Sequence, residues 1–351
     1  MSDKPTLVLL GGFLGAGKTT LILTAARLLS ARGIRAAAIL NDQGGDLVDT
    51  ELVRRNGFAA DQVTGGCFCC RFSDLIDAAE RLKDFYPDVL LAEAVGSCTD
   101  ISATTLQPLR LYYRRNFGLA PYTVLVDPMR AEECLSRPDS DVAFLFQKQL
   151  AEADLVAFTR TDLYSRFPVI PDCPIRYLSP LTGEGVVAWL DEVLAIQIPA
   201  AGKVLEIDYE QYARAEAALA WLNCKARVTF ESAQTPAAVV GPLLERLDEV
   251  FSARDIRLAH LKLMSDCAAG YVKASMIRNG ATPLVEGVFD ASAERQHELL
   301  LNVRAIAEPS ALQRAVEQEL YALAGAATIV SMQCFRPSPP QPQHRLGLMM
   351  S

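Results

Sequence analysis

Two clusters of residues in this chain could do chemistry. The first is Gly12, Gly17, Lys18 and Thr19, at the spacing G-x-x-x-x-G-K-[ST], with Gly15 and Ala16 inside the loop and Thr20 directly after it. Small residues let successive backbone N–H groups curl around phosphate oxygens, and a helix starting there adds its partial positive charge. Lys18 would reach the β- and γ-phosphates of a nucleoside triphosphate, and the Thr19 hydroxyl would ligate Mg²⁺. The second cluster is Cys67, Cys69 and Cys70, three thiols within four residues. Neighbouring cysteines on so short a link cannot readily pair with one another, but they can converge on one soft cation. Thiolates suit Zn²⁺ best and accept Co²⁺ or Ni²⁺, and three of them leave a coordination position open. The same residues would also serve as buried apolar side chains or as a redox-sensing thiol group.

Both clusters need elements to hold them. An apolar run, Thr6–Leu10, enters the first loop and a helix-like run, Thr20–Ser30, leaves it, which is the strand–loop–helix context of a phosphate site. A second strand at 35–40 ends in Asn41-Asp42-Gln43-Gly44-Gly45-Asp46. Ligands in doubly wound sheets sit at the C-terminal ends of the strands, so Asp42 is expected to contact Mg²⁺ through water unless it is a plain turn residue. Val89–Ala92 is a buried-strand run ending in Glu93, an acid placed to order Mg²⁺ and its waters, after which 94–98 turn away. Further strands at 122–126, 155–158 and 175–178 and helices at 73–85, 141–152 and 185–194 continue the alternation. That rhythm predicts an α/β domain with a mainly parallel sheet over residues 1–198.

Residues 199–223 read as a linker and connecting helix. From Cys224 the rhythm changes to alternating strands and two helices, predicting a smaller α+β, ferredoxin-like domain over 224–330 with three or four antiparallel strands. Residues 331–351, with Pro-Ser-Pro-Pro-Gln-Pro, read as a flexible or extended tail. The chain's 351 residues exceed one ordinary core, which agrees with two domains. A net charge of −8 argues against a nucleic-acid partner, because counterion release needs a cationic face. No apolar run approaches the ~20 residues of a membrane span. Nine cysteines, an odd number without a signal peptide, predict reduced thiols and a cytoplasmic protein.

Taken together, the loop GGFLGAGKTT, the Gly-Cys-x-Cys-Cys stretch at 66–70 and the Glu-x-x-Gly turn at 93–96 resemble the CobW-like metallochaperone GTPases. That family is related to the GTPases that help insert nickel into urease and hydrogenase. The resemblance implies a P-loop NTPase fold and Mg²⁺-dependent GTP hydrolysis. It also implies delivery of Zn²⁺, Co²⁺, Ni²⁺ or a corrinoid to a client metalloenzyme or corrinoid protein, and a nucleotide-dependent homodimer. Residues 41–49 resemble the family's first switch, and Asp162 its guanine-reading acid. Three departures stand out: Thr159-Arg160-Thr161-Asp162 where the family has Asn-Lys-x-Asp, Ser179-Pro180-Leu181 where it has Ser-Ala-Lys, and three widely spaced histidines in place of a His-rich tract.

Overall fold

The computed structural model describes residues 4–45, 48–170, 173–196, 198–323 and 325–347. Asp46 and Leu47 of the switch-like stretch and Gln197, just before the linker, lie outside them. The chain divides into two units. One takes residues from 1–43, 49–215 and 339–351, the other from 44–48 and 216–338.

In the first unit, β1 (Thr6–Gly11), β2 (Ala36–Asn41), β3 (Ala59–Val63), β4 (Val89–Glu93), β5 (Gly118–Leu119), β6 (Thr123–Val126), β7 (Leu155–Phe158) and β8 (Ile175–Tyr177) form one sheet. The order is β3-β2-β4-β1-β6-β7-β8, with β5 on β1, and every pairing is parallel. β4, β6 and β7 are buried at every position, as continuous apolar runs must be when helices cover both faces of a sheet. The connecting helices are α1 (Lys18–Ala31), α2 (Val48–Arg55), α3 (Phe72–Leu82), α4 (Gln107–Tyr112), α5 (Pro128–Ser136), α6 (Asp141–Glu152), α7 (Val186–Leu194) and α8 (Tyr209–Ala217). α3 shows how they dock: Phe72, Leu75, Ile76, Ala79 and Leu82 recur at helical spacing and are all buried. Parallel pairing puts the ends of β1, β2, β3, β4, β6 and β7 on one edge. The register aligns Glu93 with Leu10 and Leu40, and Asn41 with Val63.

The second unit holds β9 (Ala220–Gln234), α9 (Pro236–Ala253), β10 (Arg257–Cys267), β11 (Gly270–Met276), β12 (Leu284–Gly287), β13 (Glu294–Ile306), α10 (Pro309–Tyr321) and β14 (Gly325–Phe335). Its antiparallel sheet runs β12-β11-β10-β13-β9-β14. The four strands β14-β9-β13-β10 with α9 and α10 make the βαββαβ plan of a ferredoxin-like fold, and β11–β12 is a hairpin added at its edge. The sheet thus has six strands where the sequence predicts three or four. The connecting helix also stops at Ala217, and Ala220-Trp221-Leu222 open β9 instead of closing a helix. These residues are fully buried, and strand pairing with β13 and β14 overrides their local helical preference.

The tail differs from a free, flexible segment. β14 reaches Phe335, and residues 341–346 make hydrogen bonds within the first unit. The Gln343 N–H donates to Cys69 O (2.9 Å), and its side-chain oxygen accepts the Ser73 N–H at the start of α3. His344 packs edge-on against Phe72 with ring centres 5.1 Å apart. Arg345 pairs with the buried Asp100 at 2.8 Å, and Tyr209 of α8 donates to the same carboxylate.

Candidate functional site

The loop after β1 is shaped by its glycines. Gly12 has φ +123°, and a Cβ there would run into the Leu125 carbonyl, so only glycine fits the turn. Gly15 and Gly17 also have positive φ, and Gly17 is the N-cap of α1. Ala16 is buried and Thr20 half-buried. Lys18, 5% exposed, donates to the Gly12 carbonyl at 2.8 Å and lies 3.8 Å from Glu93 Oε1. Thr19 Oγ1 donates to Glu93 Oε2 at 2.7 Å. A lysine, a hydroxyl and a carboxylate therefore meet at the N-terminus of α1, although 74 residues separate Thr19 from Glu93. Asp42 directly follows β2, beside the Glu93 strand, and its N–H donates to Val63 O at 3.1 Å.

The structure brings Cys67, Cys69 and Cys70 together, with their sulfurs all within 4.8 Å of one another. The Sγ–Sγ distances are 2.6 Å for Cys67–Cys69 and 3.6 Å from Cys70 to each. The residue that shapes this turn is Asn41, which the sequence reading passes over as part of a polar loop. Its side-chain amide donates to Val63 O (3.0 Å) and Gly66 O (2.8 Å), and its oxygen accepts the Phe68 N–H (2.8 Å). A buried primary amide has two donors and an acceptor, which is what closing such a turn requires. Asn41 thus joins the end of β2 to the thiol turn. From the other side, the Gln341 N–H of the tail donates to Cys70 Sγ at 3.1 Å.

A fourth sulfur is present as well. The sequence reading puts Cys98 on a turn leading away from Glu93, yet its Sγ lies 3.9 Å from Cys69 Sγ and is buried. Contacts from Cys69 and Cys70 favour the Cys67 thiolate, but Cys98 and burial outweigh them and push that thiol up. Cys69 is pushed well above the ordinary thiol value, first by Cys67, then by Cys70 and Cys98, then by burial. Cys70 is pushed up to about 11, with Cys67 the main cause. Without a cation the cluster therefore holds its protons at neutral pH. A metal must displace them, so affinity climbs with pH.

The turn after Glu93 is held from α6. Gln149 Nε2 donates to Gly96 O (3.0 Å) and Cys98 O (2.9 Å). Gly96 abuts Leu14 of the first loop so closely that a Cβ would come within 2.7 Å of its side chain and 3.0 Å of its backbone N. Thr99 Oγ1 and the Ser102 N–H both donate to Glu152 at 3.0 Å, and Thr99 N–H donates to the Tyr212 hydroxyl. Burial pushes the Glu152 carboxyl up to about 8, against lowering by the Ser102 and Thr99 hydrogen bonds. An unfolded chain loses this proton near pH 4.5. The stabilising contribution of Glu152 is therefore fully present below that pH and is lost as pH rises through about 8. Wild-type stability is expected to fall over that window with a slope of at most about 1.4 kcal/mol per pH unit from this group. Glu152→Gln, the same shape without the proton, is expected to flatten the profile of urea midpoints between pH 5 and 8.5. Parallel profiles for the two proteins would remove Glu152 as the cause.

The loops after β7 and β8 complete this edge. Asp162 is exposed on the turn after β7, and Thr161 Oγ1 donates to Glu184 at 3.0 Å, tying that turn to the next one. Pro180 packs 3.6 Å from where a Gly17 Cβ would be, and its carbonyl accepts the Thr24 hydroxyl. Arg160, with φ +62°, reaches Gly15 O (3.3 Å) and Asp127 Oδ2 (3.1 Å), bracing the first loop from the turn after β7. Its only sequence signal is its position two residues before Asp162.

Comparison with known proteins places this arrangement among relatives. Residues 6–169 match the CobW/HypB/UreG nucleotide-binding domain. The chain is 29% identical to the zinc chaperone CobW of a Sinorhizobium species, over 43% of this chain and 49% of that one. It is 30% identical to the zinc chaperone YjiA of Escherichia coli K12, over 45% of this chain and 49% of that one. The chain therefore spans about half the length of these curated relatives. Among solved structures it is similar to nickel-bound HypB from Helicobacter pylori, with 21% identity over 54% of this chain and 86% of that one and a TM-score of 0.41.

Proposed function

Because residues 6–169 match the CobW/HypB/UreG nucleotide-binding domain, we propose that this protein is a Mg²⁺-dependent GTPase serving as a metallochaperone. Its nucleotide cycle gates the capture of a transition metal and the metal's transfer to a client metalloprotein. Zn²⁺ is the first choice of cargo, with Co²⁺ or Ni²⁺ next, since thiolates are the ligands at hand. The observation that carries this reading is the convergence of three thiols on the same sheet edge as Lys18, Thr19 and Glu93, with Asn41 joining the thiol turn to β2.

The residues have distinct parts in it. Gly12, Gly15, Ala16, Gly17 and Thr20 hold the phosphates through backbone N–H groups, and Lys18 places its charge on them. Thr19 and Glu93, already hydrogen-bonded to each other, would hold Mg²⁺, with Asp42 acting through water. The ion would neutralise charge on the β- and γ-phosphate oxygens. Cys67, Cys69 and Cys70 hold the cargo. Gly96 packs on Leu14, so the turn after Glu93 is in contact with the phosphate loop. Full-length protein purified without oxygen is expected to bind one Zn²⁺ or Co²⁺ per chain and to hydrolyse GTP only with Mg²⁺. Reversible thiol oxidation with no metal bound would make the cluster a redox device instead.

The base is read from Asp162 in this proposal. Its carboxylate accepts from guanine N1–H and N2–H, whereas adenine offers an acceptor at N1 and no amino group at C2. Losing such charged hydrogen bonds costs about 1.5–3 kcal/mol, so GTP is expected to bind ten- to a hundred-fold tighter than ATP. Asp162→Asn is expected to turn the preference toward xanthosine triphosphate. Equal affinity of the wild type for ATP and GTP would reduce Asp162 to a surface acid on a turn.

A further inference from the structure

We propose that Cys98 is the fourth thiolate of the metal site, so that the turn following Glu93 supplies a ligand of its own. This rests on the metallochaperone reading and sharpens it from an open three-thiolate set to a closed four-thiolate centre.

Geometry is the first argument. A Zn–S bond of about 2.3 Å puts the sulfurs of a tetrahedral four-thiolate site about 3.8 Å apart. Cys70 stands 3.6 Å from both Cys67 and Cys69, and Cys98 stands 3.9 Å from Cys69. Three edges of such a tetrahedron are therefore already at length. Cys67–Cys69, at 2.6 Å, must open, and Cys98 must move toward the rest of the set, whose three sulfurs group within 4.8 Å without it. Cys98 is buried like Cys67 and Cys69, while Cys70 is half-buried and accepts the Gln341 N–H of the tail.

Positioning is the second. The backbone that presents Cys98 is clamped on both sides of the residue. Gln149 holds the Gly96 and Cys98 carbonyls, and Thr99 is held by Tyr212 and Glu152. A metal ligand needs such supporting hydrogen bonds to keep its orientation. These bonds satisfy buried polar groups of the turn and in doing so fix where the Cys98 side chain is presented.

The consequence is mechanical. Cys67, Cys69 and Cys70 lie on the turn after β3, whereas Cys98 lies five residues beyond Glu93 and two beyond Gly96, which abuts Leu14 of the phosphate loop. A shift of that turn withdraws one thiolate and leaves the other three in place. The centre then has the open position through which a client's ligand can enter.

Titrating the anaerobic full-length protein with Co²⁺ tests this. In the wild type, the thiolate-to-cobalt band is expected at four-sulfur intensity. Cys98→Ser is expected to lose about a quarter of that intensity per ion and to bind about 100-fold more weakly, since even supporting partners of metal ligands are worth 10- to 100-fold. Cys134→Ser, a buried thiol of α5 outside the cluster, is expected to match the wild type. X-ray absorption on the zinc-loaded wild type counts sulfurs without any variant and is expected to give four. Three sulfurs with one nitrogen or oxygen, or a Cys98→Ser spectrum matching the wild type, overturns the assignment while leaving the three-thiolate chaperone intact. A wild type that takes up neither ion overturns both.

Discussion

Lys18→Ala is expected to slow single-turnover GTP hydrolysis by about 10²- to 10³-fold. Removing one preorganised charge from a reacting centre typically costs that much, because the site is dry and the group needs no reorganisation. Lys18 meets both conditions. It is 5% exposed, and its ammonium is held by the Gly12 carbonyl and lies 3.8 Å from Glu93. The substitution also leaves Glu93, 8% exposed, without its nearby cation, so some loss of stability is expected alongside. The two effects separate by nucleotide. A lysine that reaches the γ-phosphate matters more for GTP than for GDP, whereas loosened folding weakens both alike. The measurement is hydrolysis in excess enzyme together with the affinities for GDP and a GTP analogue. A rate within ten-fold of the wild type would mean that this loop does not cradle the reacting phosphate.

The second large effect joins the two sites. Metal affinity is expected to differ between the GTP-analogue and GDP forms by roughly 5- to 150-fold, a coupling of about 1–3 kcal/mol. Linkage requires the metal to change nucleotide affinity by the same factor. Tighter metal binding is expected in the GTP form, because loops ordered by the γ-phosphate bring the thiolates together at lower entropic cost. Cys69→Ser combined with Cys70→Ser is expected to abolish metal binding while leaving GTP affinity almost unchanged. Asn41→Ala is the subtler variant. It keeps every thiol but unties Val63 O, Gly66 O and the Phe68 N–H from the end of β2. Val63 O keeps the Asp42 N–H, but leaving Gly66 O and the Phe68 N–H unpaired costs about 1–3 kcal/mol each where they stay buried. Asn41→Ala is accordingly expected to weaken metal binding and to shrink its dependence on nucleotide. Calorimetric titration of Zn²⁺ into the apo, GDP and GTP-analogue forms reads both numbers. Equal affinities in all three forms of the wild type would make the cluster a structural feature and not a gated cargo site.

Much of this protein could be read directly from residue order, and the reason is locality. The phosphate loop is a contiguous motif between an apolar strand and a helix, so Gly12, Gly17, Lys18 and Thr19 were already placed by spacing. Glu93 was legible because an acid ending a buried apolar run stands at a strand's C-terminal end, where parallel sheets gather their ligands. α6 was visible at its full length, amphipathic with Ser140 capping its start. Short elements without such signals were not. α2 and β3, eight and five residues long, sit between polar turns and carry too little periodicity to stand out.

What the tertiary structure alone decided involves residues far apart in the chain. Cys98 is 29 positions from Cys69, and only the neighbouring ends of β3 and β4 around β2 bring their loops together. Asn41 is an ordinary turn residue in sequence. Its three hydrogen bonds exist because β2 and β3 pair in a register that puts Asn41 opposite Val63. The tail makes the same point from the other direction. Its prolines predict a flexible or extended segment, but no local pattern says which surface such a segment will meet. That depended on Arg345 finding the buried Asp100, 245 residues away, and on Gln341 and Gln343 finding the thiol turn. Residue order specified the chemistry each segment carries. Which segments share a site was set by the packing of the parallel sheet, because sheet order is a property of long-range pairing and not of any single stretch of chain.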